Sequence, residues 1–375
     1  MENLNIILNE FSEINKNPKA EIERYLESTG KKAIGCMPIY TPGEIIHAAG
    51  MLPVGIWGTE KEITDAKNYF PAFICSILQT TLDLGIQGEY DSLSGIIIPS
   101  LCDSLKAMGQ NWKLAVKNVE FIPLAHPQNR KIEAGIKYLK SEYLRLILKM
   151  EEISGKKITN EDLTKSIEIF NKHRFVMRQF SEVAALYPHL ISPSQRSEVI
   201  KSSLFITREA HTSMVEKLIL ELQKNEAKNW NGKKVILTGI IADSKEFLEI
   251  LRENNLAIVG DEIAQESRQF RTDVPEGTDP IERLAHQISL IEGCSVLYDP
   301  EKKRGIYIAE LVKKQGANGV IHVLTKFCDP EEYDYPILKK QLEKEKIPFI
   351  QIEVDQQKKN YEQARTIIQT FSEII

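Results

Sequence analysis

Two short apolar runs constrain the fold more than any other feature of the chain. They are Gly95-Ile96-Ile97-Ile98-Pro99 and Gly319-Val320-Ile321-His322-Val323-Leu324, and each is followed within a few residues by a Cys-Asp pair, Cys102-Asp103 and Cys328-Asp329. A run this short, bounded by Gly or Pro, reads as a strand buried on both faces rather than as a helix. Leu52-Pro53-Val54-Gly55-Ile56-Trp57, Lys234-Val235-Ile236-Leu237-Thr238-Gly239, Ala257-Ile258-Val259-Gly260-Asp261 and Pro348-Phe349-Ile350-Gln351-Ile352-Glu353-Val354 repeat the pattern. Helix-like stretches lie between them, among them 41–49, 73–84 and 361–375. Strands alternating with helices predict an α/β fold with two doubly wound, parallel-sheet (Rossmann-like) domains.

The spacing divides the chain into an N-terminal α/β domain over 1–130, a helical segment over 131–229 and a C-terminal α/β domain over 230–375. In the middle segment Ile132, Ile136, Leu139, Tyr143, Leu146, Met150 and Ile153 recur at steps of three and four, which is one apolar helix stripe. Thr159-Asn160-Glu161-Asp162 then offers a cap for a second helix, with Leu163, Ile167 and Phe170 on its inner face. Ala242-Asp243-Ser244 offers another cap after the strand ending at Gly239.

Composition removes several classes of function. Lys and Arg number 48 against 53 Asp and Glu, a formal net charge of -5, so no basic surplus exists to neutralise nucleic-acid phosphates. No apolar run approaches the roughly 18 residues a membrane helix needs. The first residues show no basic stretch followed by an apolar core, so the expected compartment is the cytoplasm. Thiols stay reduced there, and the five cysteines, at 36, 75, 102, 294 and 328, are expected to be free or metal-bound. No dinucleotide-binding Gly-x-Gly-x-x-Gly follows a strand, and no phosphate loop ending in Gly-Lys-Ser/Thr is present.

Cys102 and Cys328 are each expected just past the carboxyl end of a parallel strand, where ligands of open α/β sheets collect. Cys75 falls near a helix start, which favours a thiolate. Spacing leaves two readings open. The three thiolates hold an iron–sulfur cluster with one iron free of protein, or they are buried cysteines acting as small apolar side chains. Cys36 and Cys294 read as packing residues. Thr41-Pro42-Gly43-Glu44 reads as a capping box, with Glu44 closing the cap rather than acting on a substrate. Arg268 and Arg271 read as solvated or weakly paired surface cations. His47 and His322 read as partly buried, hydrogen-bonded histidines.

Longer motifs carry a resemblance. Cys36-Met37-Pro38-Ile39-Tyr40-Thr41-Pro42-Gly43-Glu44 within residues 32–58 resembles the opening block of the 2-hydroxyacyl-CoA dehydratase family. So do Tyr69-Phe70-Pro71-Ala72-Phe73-Ile74-Cys75-Ser76, Gly109-Gln110-Asn111-Trp112-Lys113 and Lys326-Phe327-Cys328-Asp329-Pro330-Glu331-Glu332-Tyr333-Asp334-Tyr335-Pro336. The resemblance runs from about residue 20 to the end and is to the β-type subunits. It implies a [4Fe-4S] cluster on Cys75, Cys102 and Cys328 and a heterodimer with a homologous α subunit. It implies, too, a separate ATP-dependent iron–sulfur activator that supplies one electron. The acyl-CoA is then bound mainly by the α subunit, and a lyase forms (E)-2-enoyl-CoA by a ketyl-radical route in anaerobic amino-acid fermentation. The substrate implied is (R)-2-hydroxyisocaproyl-CoA, of leucine degradation. No residue of this chain is assigned to proton transfer on the substrate. Two alternatives share the cysteine layout: a homodimeric double-cubane ATP-dependent reductase of the same family, and a non-catalytic iron–sulfur electron carrier. A metal-free two-domain α/β ligand-binding protein is the reading without the resemblance.

Overall fold

A computed structural model describes residues 2–357 and 360–375, and among these residues eight strands, all parallel, form two four-stranded sheets. In chain order come α1 (Glu2–Lys16), α2 (Pro18–Thr29), β1 (Ala33–Cys36), α3 (Gly43–Ala48), β2 (Leu52–Gly55), α4 (Ser76–Ile86), β3 (Gly95–Pro99), α5 (Asp103–Ala115) and β4 (Phe121–Leu124). The helices α6 (Glu133–Ser154), α7 (Asn160–Leu186), α8 (Pro193–Ser202) and α9 (Arg208–Gln223) follow. The chain closes with β5 (Lys233–Gly239), α10 (Lys245–Glu253), β6 (Leu256–Ile263), α11 (Pro280–Leu290), α12 (Arg304–Gln315), β7 (Gly319–Thr325), α13 (Asp329–Lys344), β8 (Phe349–Val354) and α14 (Glu362–Ile374).

The first sheet has the order β2-β1-β3-β4 and the second β6-β5-β7-β8, so the two share one topology. Strand order reverses at β1 in one and β5 in the other, which opens a crevice at the carboxyl ends of the strands beside them. β3 leads from its carboxyl end to Cys102, and β7 leads to Cys328.

Side-chain alternation along the strands explains why helices cover both faces of the second sheet. Val235 and Leu237 pack with Phe247 and Leu251 of α10 and Ile368 and Phe371 of α14. Ile236 packs on the other face with Ile308 of α12 and Leu338 and Leu342 of α13. In the first core the expected α6 stripe is buried through Leu139, Tyr143, Leu146 and Met150, and Leu284 and Ile288 of α11 join it. The Thr159 cap forms as a reciprocal box with Asp162, and Ser244 caps α10.

The first helix was not anticipated. Its stripe of Leu4, Leu8 and Phe11 packs against Val199, Ile200, Val215 and Leu218 of α8 and α9. The halves are stitched near Gly58, whose φ of +69° and lack of a side chain let Thr80 and Gln356 close over it; a Cβ there would lie 2.2 Å from the Thr80 hydroxyl.

Candidate metal centre

Each of the three predicted ligand cysteines occupies the same local position. Cys75 is the N-cap of α4, Cys102 the N-cap of α5 and Cys328 the N-cap of α13. Three helix N-termini therefore present their partial positive charge beside three sulfurs. Phe327, immediately before Cys328, has a φ of 60°, an unusual value for a bulky residue; this turn aims Cys328 off the end of β7.

All three cysteines line one cavity of about 560 Å³, with Trp57, Leu105, Ile240 and Val296 among its apolar walls. Burial pushes the Cys75 thiol up to about 12, against the Leu78 and Ile77 amides of its own helix. Burial also raises Cys102 and carries Cys328 well above the ordinary thiol value. Thiolate charge on Cys75 or Cys102 would further raise Cys328, so the sulfurs are near enough to feel one another. No Lys or Arg is among the described residues lining this pocket, so besides the helix N-termini a bound metal would supply the charge that favours ionised sulfur.

Among the described residues no three His, Cys, Asp or Glu side chains are grouped as ligands of one metal ion. A single zinc would need all its donors at one point. A cubane cluster does not, because each cysteine binds a different iron. Shared cavity, apolar walls and three helix caps therefore fit a cluster better than a lone ion.

The other candidates lie elsewhere. Cys294 is buried in the core, with Arg268 Nη1 3.8 Å from its sulfur. Cys36, at the end of β1, lines a second cavity with Glu44 and Arg208; Pro38, Ile39 and Trp57 form the wall shared with the cysteine cavity.

Two expectations are corrected. Glu44 does not cap α3: the N-cap is Pro42, without a side-chain cap bond, and Glu44 is 2% exposed and ion-paired with Arg174 of α7. The start of α3 is itself buried, and a carboxylate enclosed there needs the Arg174 guanidinium to avoid an unpaired buried charge. Arg268 is not a surface cation. It is fully enclosed, pairs with Glu262, and lies 3.4 Å from Glu331. Arg271 approaches Glu262 at 3.3 Å and is also largely buried.

Histidine 47 meets its expectation, with Nδ1 2.8 Å from the Ser166 hydroxyl and Nε2 3.1 Å from Glu209. His322 goes beyond its own: it is wholly buried, 2.8 Å from Glu331 through Nε2, and stacked on Tyr335 at 5.4 Å. Glu331 escaped the sequence reading because it sits where an ordinary acidic first-turn residue of α13 would. It is instead the acceptor for His322 and for Arg304, 2.9 Å away, three residues after Cys328.

Residues 38–375 match the family model described as 2-hydroxyglutaryl-CoA dehydratase, D-component. The chain belongs to that family. Among curated members of this dehydratase family, it is 56% identical to the (R)-phenyllactyl-CoA dehydratase beta subunit of Clostridium sporogenes, over all of both chains. It is 41% identical to the lactoyl-CoA dehydratase subunit beta of Anaerotignum propionicum, again over 100% of both. It is 39% identical to the (R)-2-hydroxyglutaryl-CoA dehydratase subunit beta of Acidaminococcus fermentans, over 99% of each. No helix among the described residues is long and apolar enough to cross a membrane.

Proposed function

We propose that this chain is the β subunit of an (R)-2-hydroxyacyl-CoA dehydratase and carries one [4Fe-4S] cluster on Cys75, Cys102 and Cys328. The observation that carries the reading is the convergence of three N-cap cysteines, drawn from both halves of the chain, on one apolar cavity. When bound, the cluster would accept, hold and pass on single electrons.

The residues have separable tasks. The cysteines anchor the iron. The helix N-termini offset the negative charge of the thiolates. Trp57, Leu105, Ile240 and Val296 keep water from the sulfurs. No side chain is assigned to proton transfer on the substrate, because the acyl-CoA is held by a homologous α subunit in this reading. The electron comes from a separate ATP-dependent iron–sulfur activator, in keeping with a sequence that has no ATP phosphate loop of its own. The five thiols, all free, suit the reducing cytoplasm.

The proposed substrate is (R)-2-hydroxyisocaproyl-CoA, converted to its (E)-2-enoyl-CoA, on the strength of the motif resemblance. Relatives of similar length carry names with three different acyl groups, which supports a β subunit that accompanies the chemistry rather than selects the acyl chain.

Iron and acid-labile sulfide per chain, measured on protein purified without oxygen, test the reading. About four of each is the expected result. About eight would replace it with the double-cubane reductase, and none in folded protein would remove the cluster.

A further inference from the structure

The cavity behind the Pro38–Ile39–Trp57 wall, of about 1070 Å³, holds polar groups that the cluster reading does not use. Three charged side chains stand in it beyond the buried Arg268 network: Glu44, Arg174 and Arg208. Glu44 and Arg174 neutralise each other. Arg208 has no carboxylate within ion-pair distance among the described residues; its Nη1 donates to the Ser203 carbonyl, and its guanidinium lies 5.5 Å from the Phe170 ring centroid.

The acids nearest Arg208 among the described residues, Glu44 and Glu209, are engaged elsewhere. Glu209, next in sequence, lies 3.1 Å from His47. Burial pushes the Cys36 thiol up to about 12, so it stays neutral despite facing Arg208. Arg208 itself is lowered by burial to about 10, which leaves it charged at neutral pH. The cavity thus carries one uncompensated positive charge. The same cavity is lined by Thr41, whose hydroxyl is buried and lacks a hydrogen-bond partner among the described residues. Apolar side chains, Phe170, Ile200, Leu204, Leu284 and Ile288, share the lining with polar ones that include His173, Gln265 and Gln287. A lone cation and an idle hydroxyl in one cavity, with Phe170, Leu204 and Ile288 in its walls, match an anionic head on an apolar tail. Phosphate fits less well: its second negative charge would be buried unpaired.

We propose that this cavity binds a small monocarboxylic acid with an apolar tail, its carboxylate on Arg208 and Thr41 and its tail against Phe170, Leu204 and Ile288. The site is independent of the cluster, since none of its ligand-holding residues is a cysteine of the metal cavity.

The test is calorimetric titration of the full chain, purified without oxygen, with 4-methylpentanoate, acetate and inorganic phosphate. Saturable one-to-one binding of 4-methylpentanoate is expected, with affinity falling roughly fourfold for each methylene removed toward acetate. Arg208→Gln should weaken it at least about tenfold. Thr41→Val, which keeps the side-chain volume, should weaken it by roughly tenfold and decides the matter if the Arg208 variant does not fold. No saturable binding, tighter binding of phosphate, or affinity unchanged in either folded variant would overturn the proposal. Iron content enters none of these readouts, so they fail or succeed separately from the cluster.

Discussion

The Thr80 hydroxyl donates a hydrogen bond of 2.7 Å to the side-chain carbonyl of Gln356, joining α4 to the turn after β8. The Gln356 side-chain amide also donates to the Trp57 carbonyl at 3.0 Å, and its backbone N–H donates to the Ser76 hydroxyl at 3.1 Å. One buried residue of the second half thus holds the start of the helix that Cys75 caps. Gln356→Ala would take this partner from the Trp57 carbonyl and leave Thr80 only the Ser76 and Ile77 carbonyls of its own helix. It is expected to lower unfolding stability by about 1–3 kcal/mol in urea titration. An unchanged midpoint would show that the stitch carries no weight.

Replacing Cys75, Cys102 or Cys328 by Ala should each lower the iron content of anaerobically purified protein. Cys36→Ala and Cys294→Ala should keep it, because one side chain lies across the Pro38–Ile39–Trp57 wall and the other sits in the core. Iron loss from a folded Cys294 variant would break the proposed trio.

Removing one partner of the Glu44–Arg174 pair strands a buried charge. Glu44→Gln should cost about 3–5 kcal/mol, and the double variant with Arg174→Met should recover much of that loss. Equal stability of the single and double variants would sink the account.

His211 ties stability to pH. Its Nδ1 lies 3.0 Å from His173, and its Nε2 donates to the Val199 carbonyl at 2.9 Å. Burial lowers it from 6.5 to about 3. As pH falls through that window the unfolded chain takes up a proton that the folded chain refuses. Stability should therefore drop on acidification, by up to roughly 1.4 kcal/mol per pH unit for this group, and His211→Gln should flatten the slope. Urea midpoints at about pH 7 and about pH 5 decide it.

Much of the fold was legible because its signals are local. An apolar run between turn residues, a stripe at helical spacing and a Thr-x-x-Asp cap each fit within one element, and β3, β7, α6 and α7 follow them. The placement of Cys102 and Cys328 after strands, and of Cys75 before a helix, was legible too, whereas spacing alone left their role open and only the resemblance implied a ligand trio. Glu44, Arg268 and Glu331 were not, since each looks in sequence like an ordinary helix-start or surface residue. Their partners, Arg174, Glu262 and His322, come from other elements, and only packing brings them together. The same holds for α1, whose stripe faces α8 and α9 rather than the sheet that follows it in sequence.

The cavity of Cys75 and Cys102 is closed by Cys328, more than two hundred residues further along the chain. A ribosome that has released the first sheet has therefore made two sulfurs and no complete pocket. The last wall arrives only as the second sheet folds, so a cluster held on all three cysteines, as proposed, would be completed only when synthesis has nearly ended. A chain truncated before α13 would lack the third of those sulfurs.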